Sequence, residues 1–151
     1  MSKRPGIGIG VLIVHDGKIL LSTRLKKYGN GKLALPGGHV EWMETHVDTA
    51  VREVFEETGI RLSKKRVYHL YVYSEEVHPK LGKHYVTFYL IAKMPKGQKP
   101  KDMEPRKHGP WAWYDPFNLP RHTWEPTKRL CTKTAGTLIR AFINEEGIVF
   151  K

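Results

Sequence analysis

A chain of 151 residues with 40% hydrophobic and 11% aromatic residues can build one compact domain around its own core, and its 27% charged content is ordinary for a globular protein. No apolar run approaches the roughly 20 residues that cross a bilayer, and a lone Cys131 excludes an internal disulfide and fits a reducing compartment. The net charge of +11 suits a polyanionic partner or a solvated basic surface, and its basic residues are spread over several segments, so a phosphorylated small molecule accounts for it as well as RNA does.

The chain begins MSKRPGIGIGVLIVHDGK, where Asp16, Gly17 and Lys18 cut off a short apolar run without a small-residue cleavage pattern. A signal peptide is therefore not expected, and cytoplasm is the expected location. Residues 7–14 read as a strand, residues 15–18 as a hairpin turn built on Asp-Gly, and residues 18–23 as the returning strand. The glycines of Gly6-Ile-Gly-Ile-Gly10 do not open a helix, so they read as places of close backbone approach in a strand and not as a dinucleotide loop. Residues 26–32, KKYGNGK, form a basic loop, and short extended pieces are expected at 33–35 and 39–42. Thr45 can cap a helix running to Thr58, with Asp48 completing a capping box and Gly59 closing the end. Alternating Tyr, Val and Phe predict strands over 66–76 and 84–93. Four prolines make 95–110 a surface excursion. A short strand is expected at 111–114, then a helical tail from about Pro126 to Glu145, broken near Gly136. The sum is a mixed α/β fold with hairpins.

One stretch carries chemistry. LPGGHVEWMETHVDTAVREVFEETG, residues 35–59, holds six acidic residues. On a helical wheel Val47, Ala50, Val51, Val54 and Thr58 form the core side, while Glu53 and Glu57 share the other side with Glu56 beside them, and His46 and Thr49 lie along that acidic side. Like charges four apart repel, and carboxylates at a helix C-terminus meet the wrong end of its dipole. A solvated face would more naturally carry Lys or Arg there. A hard divalent cation held by oxygens resolves both costs.

The spacing Gly38, five residues, Glu44, seven residues, then Arg52-Glu53-Val54-Phe55-Glu56-Glu57-Thr58-Gly59-Ile60 resembles the signature of the Nudix (MutT-like) hydrolases, with every specified position filled across 23 residues. RPGIGIGVLIV, LPGGH, HYVTFYL and EPRKHGPWAWYDPFNLP look like the nucleoside-triphosphate diphosphatase branch, which includes cytidine triphosphate pyrophosphohydrolases and the human diphosphatase acting on thiopurine nucleotides. The resemblance implies a Nudix-type α/β/α sandwich with a mixed β-sheet, a single domain over residues 1–151, and a homodimer. It implies metal ligation by Glu53, Glu56, Glu57 and the Gly37 carbonyl, with Mg²⁺ the expected ion and Mn²⁺ an alternative. Glu53 is the first choice for orienting or deprotonating water, Arg52 would brace it, and Glu44 would be structural. Arg24 is the preferred phosphate contact over Lys26, Lys27 and Lys32. Leu35, Gly38, His39 and Thr87 match nucleotide-contact positions, though His39 equally fits a structural role. Trp111 and Trp113 fit core or surface packing better than base stacking. Glu104 lies in a loop that in some relatives supplies an extra acid near the metal.

The implied reaction is Mg²⁺-dependent hydrolysis of a nucleoside triphosphate to monophosphate and pyrophosphate. RNA 5′-pyrophosphohydrolysis or decapping is the alternative enzyme, supported by the charge but without a visible RNA-binding module. A nucleotide-sensing domain without catalysis is the third reading, and the intact set of carboxylates speaks against it. The loops that would choose the base carry no decisive pattern.

Overall fold

The computed structural model describes residues 3–144. Seven strands form one mixed sheet: β1 (Gly6–His15), β2 (Lys18–Thr23), β3 (Leu33–Ala34), β4 (Gly37–His39), β5 (Val67–His78), β6 (Lys83–Lys93) and β7 (Ala112–Tyr114). The main order is β3-β2-β1-β6-β5, with β4 on β1 and β7 on β2. β1 organises the sheet. It runs parallel to β6 from Gly6 against Tyr85 to Val14 against Lys93. Its other edge is shared, by β4 opposite Gly8–Gly10 and by β2 opposite Val14 and His15. Asp16 and Gly17, both with positive φ, make the tight turn their sequence predicts.

Strand alternation sorts the core into two layers. Ile9, Val11, Ile13, Leu20 and Leu90 pack on one face against Ala50, Val54 and Ile60. Leu12, Val14, Ile19, Leu21 and Ile91 pack on the other against Leu130, Ile139 and Phe142. The first face is covered by α1 (His46–Thr58), the second by the Leu130–Thr134 winding that follows the short α2 (Glu125–Arg129) and by α3 (Gly136–Asn144). The result is the expected α/β/α sandwich with a mixed sheet. No helix of the described residues is long and apolar enough to cross a membrane.

Several boundaries moved, each for a physical reason. β5 and β6 extend to His78 and from Lys83, because backbone pairing of Glu75–His78 with Lys83–Val86 needs no apolar side chains. Residues 40–42 are not a strand. The Val40 N–H still reaches the Ile7 carbonyl, but the chain then turns through Glu41–Glu44, with Met43 at φ 67°. The tail is helical with a wider winding at Leu130–Thr134 and a break at Ala135, one residue before Gly136. Its expected last residue, Glu145, lies outside the described residues. The 95–110 segment is more than an excursion. Its Lys101 N–H donates to the Thr58 carbonyl at 2.7 Å, and His108 is buried.

Candidate active site

Helix α1 starts where the sequence asks it to. The Thr45 hydroxyl accepts from the Asp48 N–H, and the Asp48 carboxylate accepts from the Thr45 N–H. Gly59 ends it in the left-handed region (φ 73°), its N–H on the Phe55 carbonyl. These caps fix the rotation of the helix, and with it the direction of every glutamate. Two residues placed on the acidic side by the wheel turned elsewhere. Thr49 is fully buried and its hydroxyl donates to Glu44 Oε1 at 2.7 Å, while the His46 ring meets His69 and Phe88. Both sit near the helix start, where the strand behind the helix and the 40–45 turn close over it.

Arg52 is the hub of the acidic face. Its Nε and Nη2 hold both oxygens of Glu44 at 2.7 and 2.9 Å, Nη1 donates to Glu53 Oε1 at 2.8 Å, and Nη2 reaches the His39 carbonyl at 3.0 Å. Its contact with Glu56 is longer, 3.4 Å, so the simple i,i+4 pair is the longest of its hydrogen bonds. Glu44 also accepts from the Glu41 N–H, and these bonds, Arg52 first, pull its carboxyl down to about 2. Glu53 is different. Burial pushes its carboxyl above the ordinary range, Arg52 opposes that, and Glu57 and Glu56 add to the rise. Glu57 is buried, with Oε1 on the Gly37 N–H at 2.7 Å and Oε2 3.1 Å from His108 Nε2. Glycine is required opposite this wall: a Cβ on Gly38 would collide with the Glu53 carboxyl, and one on Gly37 with the Ile9 carbonyl.

The glutamates line one wall of a cavity of 770 Å³. Gly37, Gly38, Leu35, His39, Thr87 and Arg24, all singled out in the sequence, line it too. Its floor is set by register. Gly6, Gly8 and Gly10 of β1 face Tyr85, Thr87 and Tyr89 of β6, and a Cβ on Gly8 would come within 3.1 Å of the Thr87 hydroxyl. The glycines therefore make room beside β6, as close-approach positions do. Arg24 reaches the cavity, but its Nε donates to the Tyr28 carbonyl at 3.1 Å and its guanidinium sits over the Trp124 ring at 5.3 Å. Lys26 and Lys27 line the cavity and Lys32 does not.

Sequence reasoning missed part of the lining: Tyr28, Glu76, Lys83, Tyr85 and Trp124. Tyr85 was findable, because Tyr85, Thr87 and Tyr89 alternate on one strand face. Trp124 was not, because it is carried to the site by a non-local bond, its N–H on the Leu33 carbonyl at 2.7 Å. Trp111 and Trp113 are structural: the Trp111 indole donates to the Glu57 carbonyl at 3.1 Å, and both pack on the α1 side of the core. Glu53, Glu56, Glu57 and Glu104 are among the six carboxylates that line the cavity, with Glu41 and Glu76. That hard-oxygen donor set, with its like charges only partly offset by Arg52, fits a divalent cation. Among the described residues, the ligand atoms that converge within 4.8 Å belong to Glu57, Glu104 and His108.

Comparison with known proteins agrees with this geometry. A family model described as the NUDIX domain matches residues 4–134. Over 129 residues the chain is 32% identical to a Methanocaldococcus jannaschii protein named ADP-ribose pyrophosphatase, covering 82% of this chain and 70% of that one. A 63-residue stretch is 38% identical to an RNA pyrophosphohydrolase of Bartonella quintana, covering 37% of this chain and 36% of the relative. The crystal structure of a MutT NUDIX hydrolase from Burkholderia pseudomallei superposes with a TM-score of 0.75 at 32% identity, over 83% of this chain and 95% of that chain. With its signature helix, its cavity and these relatives in agreement, the chain belongs to the Nudix hydrolases, a family of divalent-metal-dependent enzymes that act on phosphoanhydride bonds.

Proposed function

We propose that the protein is a Mg²⁺-dependent nucleotide pyrophosphohydrolase that cleaves nucleoside triphosphates to monophosphate and pyrophosphate, with Mn²⁺ able to replace Mg²⁺. The observation that carries this reading is the division of one cavity into an acidic wall and a basic, aromatic one. Glu53, Glu56 and Glu57 lie on the first, and Lys26, Lys27, Lys83 and Tyr85 on the second, with the Glu76 carboxylate there accepting from the Tyr28 hydroxyl. A triphosphate needs both: carboxylates to hold its cation, and ammonium groups and rings to hold its phosphates and base.

Glu53, Glu56, Glu57 and the Gly37 carbonyl would hold the metal, which would neutralise charge on the phosphate oxygens. Glu53 orients the attacking water and takes its proton at a carboxylate oxygen. Arg52 holds the other side of that carboxylate. Arg24 and the nearby lysines bind phosphates, and Leu35, His39 and Thr87 contact the nucleoside. His39 already stacks on Tyr85 with ring centroids 5.1 Å apart, which prepares a flat platform.

The test is product analysis with Mg²⁺ and a panel of ribo- and deoxynucleoside triphosphates, ADP-ribose and 5′-triphosphorylated RNA. Monophosphate plus pyrophosphate from free triphosphates is the expected result. A second reading, hydrolysis at an RNA 5′ end, is favoured by the net charge of +11 and by the similarity to the Bartonella quintana enzyme. Turnover confined to RNA would replace the first reading with the second. Binding without turnover, unaffected by Glu53→Gln, would sink both.

A further inference from the structure

The metal wall has a member that its helix does not supply. His108 is 5% exposed, yet neither of its ring nitrogens makes a hydrogen bond among the described residues. Buried imidazoles normally satisfy these atoms. Nε2 lies 3.1 Å from Glu57 Oε2 but out of line for a hydrogen bond. That spacing has a meaning in coordination chemistry. Two adjacent ligands on an ion with bonds of about 2.1 Å sit about 3 Å apart. The third member, Glu104, brings a carboxylate oxygen within 4.8 Å of the other two ligand atoms. Lys107 lies 2.7 Å from Glu104 Oε2, which is compatible with a cation because a carboxylate has two oxygens.

The backbone holds His108 in place. The Leu25 N–H donates to the Lys107 carbonyl at 2.9 Å and the Gly109 N–H to the Thr23 carbonyl at 2.8 Å, so the residues on either side of His108 are pinned to the end of β2. The Trp111 ring packs against the imidazole at 4.9 Å, and its indole is tied to the C-terminal turn of α1 through the Glu57 carbonyl. An imidazole held this way is presented to the Glu57 carboxylate and not to solvent.

We propose that His108 joins Glu57 and Glu104 in a mixed nitrogen–oxygen subsite for a first-row transition-metal ion, so that this subsite binds Mn²⁺ more tightly than Mg²⁺. The proposal rests on the metal-dependent reading of the cavity and sharpens it. Mg²⁺ selects oxygen donors and water, whereas an imidazole nitrogen raises affinity for transition ions. A purely electrostatic role, His108 as a counter-charge to Glu57, is the competing account.

The experiment is pulsed electron paramagnetic resonance of the whole chain loaded with Mn²⁺. Directly bound ¹⁴N should modulate the echo, and labelling histidine with ¹⁵N should change that modulation. His108→Gln should abolish it. His39→Gln should keep it, which excludes the histidine that lines the cavity. Calorimetric titration should show His108→Gln weakening Mn²⁺ about tenfold and Mg²⁺ less than about twofold. If His108→Gln does not fold, the labelled wild-type protein with the His39→Gln control still decides. An oxygen-only Mn²⁺ spectrum overturns the subsite and leaves the hydrolase reading standing, as does equal weakening of both ions. Failure to bind Mn²⁺ at all overturns it too. A nitrogen-bound ion in a protein that turns over none of the panel overturns the proposed activity and leaves the subsite.

Discussion

The two walls of the cavity are built in opposite ways. The acidic wall is mostly one helix: Glu53, Glu56 and Glu57 fall within five residues, and Arg52 locks the first of them to Glu44. The opposite wall comes from separate pieces of chain: Arg24 and Tyr28 from the first loop, Glu76 and Tyr85 from the long hairpin, and Trp124 from the start of α2. Local helical register can encode the first, since residues three and four apart must share a face. Only long-range packing can assemble the second. A fold that keeps its chemistry on one capped helix can change what it recognises by changing distant loops, without disturbing the carboxylates.

That contrast can be broken by substitution. Glu53→Gln should lower turnover by about 10³-fold, the middle of the range for a removed general base. It should also raise the melting temperature of the metal-free protein slightly, because a carboxyl already pushed upward by burial and by Glu57 and Glu56 no longer has to ionise. Steady-state kinetics and thermal melts measure both. Substantial residual turnover would move the base to a different glutamate. Arg52→Gln should destabilise the fold by about 2 kcal/mol, since it leaves Glu44 and Glu53 without their charge partner in a part-buried site. Urea unfolding would show it, and a neutral result would mean that water replaces Arg52 without loss.

On the other wall the effect should move from kcat to KM. Tyr85→Ala removes the ring that stacks on His39, and KM should rise about tenfold with kcat nearly unchanged, the value of one lost base-stacking contact. If kcat fell instead, the two walls would not be separable. The smallest effect concerns pH. Glu44 is held down to about 2 in the fold from an ordinary value of 4.5, with Arg52 the main cause. A depressed carboxyl contributes stability that is fully present above its unfolded pKa and is lost as pH falls through the folded one. Stability should therefore fall between about pH 4.5 and 2, and Glu44→Gln should flatten that limb in melts across a pH series.

Much of the acidic wall was legible in the sequence because its determinants are short-range. The Thr45–Asp48 capping box, Gly59 at the helix end and the i,i+4 relation of Glu53 and Glu57 are each decided within one or two turns. The Asp16-Gly17 turn and the alternating β6 residues were readable for the same reason. Thr49 and His46 were misplaced because a wheel knows the helix and not what packs on it. The 95–110 prolines suggested solvent, and could not reveal that the loop folds back to bury His108 beside Glu57.

The sequence by itself determined the helix, its caps, its glutamates and the strand glycines, since backbone sterics and helical periodicity act over a few residues. Tertiary structure alone decided which face of β6 looks across at those glycines, where Trp124 and Tyr28 meet Arg24, and that an imidazole from a distant loop stands 3.1 Å from a helix carboxylate. Those meetings depend on sheet register and on loops closing across the whole chain, which no local pattern specifies.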